Sequence, residues 1–130
     1  MKTNIRWFAI PTALVLALSA VGAVRSQSVS VAPFQSLGGT VNGGQKNCDQ
    51  LSGSATHVVK LNQDFPNLRF SVSGSGKPIM KVVGPDGLNE CVMAYSGGQV
   101  SMPGYWKEGS YSVFLGNLVA GSHNYNLSVK

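Results

Sequence analysis

Short runs in which apolar and polar residues alternate dominate the chain from His57 onward. Leu68, Phe70 and Val72 are interleaved with Arg69 and Ser71. That spacing places the three apolar side chains on one face of a strand and the two polar ones on the other. Tyr111, Val113 and Leu115 repeat the pattern, as do Tyr125, Leu127 and Val129 against Asn126, Ser128 and Lys130. The latter predicts a strand running to the final residue. His57 to Leu61 and Ile79 to Val83 are compact β-like runs, and Cys91 to Tyr95 and Val100 to Met102 are weaker ones. No amphipathic helical period and no internal repeat interrupts the series. The pattern predicts an all-β fold, an antiparallel β-sandwich or jelly roll of about seven short strands.

The punctuation agrees with that reading. Ser73-Gly74-Ser75-Gly76 closes one run, Ser96-Gly97-Gly98 separates two others, and Glu108-Gly109-Ser110 introduces the next. In Gly84-Pro85-Asp86-Gly87 a proline presets φ and a glycine stands where a turn commonly closes. Upstream of Cys48, the pairs Gly38-Gly39 and Gly43-Gly44, the second preceded by Asn42, predict turns or a loop. Residues 24–37, with Val29 and Val31 alternating, form an N-terminal linker or edge strand, and 38–130 the sandwich domain.

Residues 1–23 have the order of a secretory signal peptide. Lys2 and Arg6 precede an apolar run from Trp7 to Leu18, and Val21-Gly22-Ala23 offers small residues for cleavage after Ala23. Trp7 to Val24 only just reaches the length of a membrane span, and Pro11, Thr12, Ser19 and Gly22 weaken it as one. No stable membrane span is expected after cleavage, and the expected location is secreted or periplasmic. In that oxidising setting the two cysteines, Cys48 and Cys91, read as one disulfide. Such a bridge would stabilise the fold by about 4 kcal/mol in the chain-entropy model. The formal net charge is +5, two of it in the leader, and the remaining basic residues are scattered singly. No nucleic-acid footprint results.

Candidate chemistry is sparse. Asp49, Asp64, Asp86, Glu90 and Glu108 are all the acids present, and only Asp86 and Glu90 lie close in sequence. Calcium takes about six to eight oxygen ligands, so no metal is expected, and a turn aspartate bonding its own backbone accounts for Asp86. His57 and His123 are isolated and read as surface or partly packed residues instead of zinc ligands. Ser73 to Gly76 lacks the full Gly-x-Ser-x-Gly elbow, and two positioned carboxylates for glycoside chemistry have no sequence support. No catalytic residue and no cofactor is expected. Asn126-Leu127-Ser128 matches a glycosylation acceptor but reads as the polar face of a strand. The aromatic group is the better lead. Tyr111 shares the inward register of Val113 and Leu115, whereas Tyr105 and Trp106, with Tyr95, are candidates for an exposed platform on which sugar faces or peptide side chains stack.

The run Val82-Val83-Gly84-Pro85-Asp86-Gly87, then Gly109-Ser110-Tyr111-Ser112-Val113, and finally Tyr125-Asn126-Leu127-Ser128-Val129 resembles the bacterial pre-peptidase C-terminal domain family in a small stand-alone secreted form. The resemblance implies a non-catalytic β-sandwich of the kind carried beside secreted hydrolases to assist secretion, solubility or attachment to polymers. That family often has aspartates in the strand before the Pro-Asp-Gly turn. Pro78 to Val83 supplies none, so the resemblance brings no calcium ligands there. The expected function is a secreted accessory or binding module engaging an extracellular polysaccharide or protein. The alternatives are a structural envelope or matrix component that self-assembles through edge strands near Val31 or Val129, and a minimal secreted hydrolase.

Overall fold

The computed structural model describes residues 29–130, and the signal-peptide reading of residues 1–23 lies outside them. Nine strands form two sheets packed face to face. They are β1 (Val29–Val31), β2 (Gln35–Gly43), β3 (His57–Leu61), β4 (Phe65–Gly74), β5 (Pro78–Val83), β6 (Asn89–Met93), β7 (Gln99–Trp106), β8 (Gly109–Asn117) and β9 (Gly121–Val129). Short 3-10 turns occupy Cys48–Gln50 and Pro85–Gly87. A four-stranded sheet has the order β2-β9-β4-β7 and a five-stranded sheet the order β1-β3-β8-β5-β6. Every pair is antiparallel except β1 with β3, which is parallel.

The alternating runs fall where their period puts them. Leu68, Phe70 and Val72 of β4 meet Tyr111 and Val113 of β8 and Leu127 and Val129 of β9 in one buried cluster. Trp106 stacks on Phe70 at 4.2 Å between ring centres, and Tyr111 closes edge-on against both. The Trp106 indole N–H donates to the Leu68 carbonyl at 2.9 Å, so the ring is buried without an unpaired donor.

The glycine pair Gly38-Gly39 is not a turn but the middle of β2. Gly39 stands opposite Tyr125 of β9, and a Cβ there would lie 2.6 Å from the Tyr125 hydroxyl oxygen. The bare backbone lets the phenol lie across β2 and reach the other sheet. There it donates to His57 Nε2 at 2.7 Å, while His57 Nδ1–H donates to the Val29 carbonyl at 2.9 Å. His57 is therefore buried, not surface-lying, and ties β9 to β3 and β3 to β1. No break in the fold falls at residue 38, since β2 runs through it. Val129 is likewise not at an edge, because β9 is flanked by β2 and β4.

Two further devices fix the loops. The Cys48–Cys91 disulfide pins the segment between β2 and β3 to β6. Leu51 from that segment then seats on Gly116 so closely that a Cβ would come within 2.5 Å of its Cδ2. Lys81 Nζ donates to the Leu51 carbonyl at 3.3 Å and lies over the Phe114 ring. Asn117, buried at the end of β8, accepts from the Lys77 and Val119 amides and donates to the Ser75 carbonyl. Its own carbonyl accepts from the Gly44 and Gln45 amides, so one side chain and its peptide group join three loops.

Candidate binding cleft

The end of β7 and the Pro85–Gly87 turn enclose a cleft of about 490 Å³, whose walls include Pro85, Leu88, Pro103, Tyr105, Trp106 and Tyr111. Proline fixes the approach to the turn, and Asp86 adopts a left-handed φ of 60°. The Leu88 amide closes the turn on the Pro85 carbonyl. The Asp86 carboxylate does not fold back on its own backbone as expected. It reaches Lys107 Nζ at 3.1 Å, an exposed pair across the cleft mouth that raises the lysine pKa by hydrogen bond and charge. Glu90 lines the same wall.

Tyr105 is 59% exposed, yet its ring is not free to swing. Its hydroxyl donates to Asp64 Oδ2 at 2.9 Å, and Asp64 Oδ1 accepts the Glu108 amide at 2.8 Å. The Glu108 N–H, and then the phenol, hold the Asp64 carboxyl below its ordinary range, and the same bond raises the phenol pKa. An exposed ring tethered in this way presents its face without first losing rotamer freedom, so it is preorganised for stacking. Asp64, just before β4, was not singled out in sequence, because nothing local marks it as the partner of a residue 41 positions later.

The three expected aromatic residues do not form one platform. Trp106 is 5% exposed and belongs to the core, with only part of its ring reaching the cleft wall. Neighbours on a strand point to opposite sides, so an exposed Tyr105 obliges Trp106 to face inward beside Met102. Tyr95 is 72% exposed but lies before the start of β7, at the far end from Tyr105. At the rise of a strand, the six steps from Gln99 to Tyr105 alone span about 20 Å. What the structure brings together is Tyr105 with Asp64, Asp86, Lys107 and the proline-lined wall.

A second polar pair lies elsewhere. Ser75 Oγ donates to His123 Nδ1 at 2.9 Å, and His123 Nε2–H donates to the Val119 carbonyl at 2.8 Å. No carboxylate takes part in these bonds, and they brace the β4–β5 turn against the β8–β9 turn. Among the described residues no three His, Cys, Asp or Glu side chains gather as a metal site, and no helix is long and apolar enough to cross a membrane.

The pre-peptidase C-terminal domain of a collagenase from Bacillus anthracis superposes on the chain with a TM-score of 0.59. The match covers 81% of this chain and 96% of that one at 15% identity. The two share a fold. At that identity the sandwich is what the likeness shows, and the fold expected from the resemblance is the fold found. An uncharacterized protein of Synechococcus elongatus is 26% identical over 126 residues, spanning 93% of this chain and 91% of its own. No family model matches the sequence. The disulfide is consistent with an extracellular location.

Proposed function

We propose that the chain is an exported member of the pre-peptidase C-terminal domain family, a non-catalytic module that attaches to an extracellular polymer through the Tyr105 cleft. The observation that carries this is the exposed Tyr105 ring, tethered by Asp64 at the lip of the cleft. Carbohydrate is the chemistry the cleft fits best. A sugar ring offers an apolar C–H face to stack on the phenol and the proline wall. Its hydroxyl rim meets Asp86, Lys107 and Glu90, groups able both to donate and to accept. Lys107 offsets only Asp86, and Asp64 and Glu90 leave the cleft acidic, so the site favours a neutral chain over an anionic one.

The test is co-sedimentation of the purified, oxidised protein lacking residues 1–23 with a panel of insoluble polysaccharides and isolated cell envelope. Saturable retention on one polymer is expected, with affinity falling about tenfold in Tyr105→Ala, equivalent to about 1.4 kcal/mol of stacking. Tyr105→Phe and Asp64→Ala keep the ring and release the tether, so a smaller loss is expected from each. Retention on nothing, or retention that Tyr105→Ala leaves intact, removes the cleft as the binding site.

A further inference from the structure

The four sheet edges are defended unequally. β1 is only three residues long. β6 is five residues long, carries Glu90 and is tied through Cys91 to the segment covering its sheet. β7 is interrupted by Pro103, which cannot donate to a ladder. β2 has none of these protections. Its nine residues, Gln-Ser-Leu-Gly-Gly-Thr-Val-Asn-Gly, contain no charge and no proline, and among the described strands it pairs only with β9. A long uncharged edge is a template for another strand.

The order of residues says which strand. Read outward from Gly39, β2 is self-complementary in the antiparallel sense. Leu37 would face Val41 of a second copy, Gly38 would face Thr40, and Ser36 would face Asn42. Leu37 and Val41 lie on the inner side and are only half-buried, while Ser36, Gly38, Thr40 and Asn42 are exposed on the outer side. A two-fold axis at Gly39 thus sets apolar on apolar and small polar on small polar, with no like charges opposed. Gln45 Nε2 donates to the Asn42 carbonyl at 3.0 Å, closing one end and leaving Leu37 to Val41 open.

We propose that β2 pairs antiparallel with β2 of a second copy about Gly39, joining two four-stranded sheets into one of eight strands. The contact is one strand wide, so the dimer is weak and depends on concentration. It does not rest on the Tyr105 cleft, which lies at the opposite edge of the same sheet.

The test is sedimentation equilibrium of the oxidised protein lacking residues 1–23, loaded from micromolar to millimolar, with amide exchange at both extremes. A monomer–dimer equilibrium is expected, with slower exchange at high concentration confined to 37–41. Gly38→Lys with Thr40→Lys sets lysine against lysine across the axis. It is expected to weaken the dimer about tenfold or more. Gly38→Lys with Thr40→Glu sets opposite charges there and restores it. A Cβ at Gly38 would meet nothing closer than 3.5 Å, and each variant's fold is checked by thermal unfolding. A monomer at every concentration overturns the proposal. So does a dimer that the two-lysine variant retains, or one whose protection falls outside β2.

Discussion

The two outer faces of the sandwich are built on opposite plans. On the four-stranded sheet, Ser36, Ser128, Ser71 and Ser101 stand side by side across all four strands, and Gly38, Asn126, Ser73 and Gln99 form the next row. That face is small, polar and uncharged over those rows, and bare among the described residues. The five-stranded sheet turns Ile79, Val83 and Phe114 outward, and Ile79 is nonetheless fully buried. It is buried because the segment between β2 and β3 crosses over it, seats Leu51 on Gly116 and is locked by the disulfide. A strand that alternates needs cover on one side only. A strand such as Pro78 to Val83, apolar on both faces but for Lys81, needs it on both.

The contrast breaks first at the disulfide. Cys48→Ser with Cys91→Ser releases the covering segment, and the loss expected from a loop of 43 residues is about 4 kcal/mol. Denaturant titration measures the loss. Amide exchange locates it, with 44–56, β5 and β6 opening while β4 and β9 stay protected. A uniform rise in exchange contradicts the division into a covered and an uncovered sheet.

Asn117→Ala comes next. It strands the Lys77 and Val119 amides and the Ser75 carbonyl where water is largely excluded, for about 3 kcal/mol. By contrast Ser71→Ala on the bare face is expected to stay within about 0.5 kcal/mol. Equal effects from the two would mean that Asn117 is not the joint it is described as.

The smallest expected effect is a pH dependence at His57. Burial lowers its pKa below the ordinary 6.5, partly offset by the bond to the Val29 carbonyl. The unfolded chain then takes up the proton first as pH falls. Stability is full above 6.5, declines as pH falls from there toward the folded-state pKa, and levels off below it. Thermal midpoints measured from pH 8 to pH 5 show that decline, and His57→Gln removes it.

How much of this was legible in sequence follows from how local each cause is. Strands led by Leu68-Phe70-Val72, Tyr111-Val113-Leu115 and Tyr125-Leu127-Val129 were plain because their period is carried by neighbours in the chain. The role of Gly38-Gly39 was hidden because what makes glycine fit a strand there is Tyr125, on β9. The burial of His57 depends on the same distant phenol. Trp106 is different, since its own strand held the answer. Val100, Met102 and Trp106 share one phase and Ser101, Pro103 and Tyr105 the other, so extending the alternation past Met102 would have separated the two rings. Asp64 had no such signal, and the cleft it supports comes from two turns that only the fold brings together.

The most direct test of the central claim is a map of amide chemical shifts as a soluble oligosaccharide from the retained polymer is titrated into the labelled protein. The account predicts saturating shifts at Asp86 to Glu90 and Gly104 to Glu108, reduced in Tyr105→Ala. Shifts centred instead on Ser71, Ser101 and Ser128 would contradict it and make the bare face the binding surface.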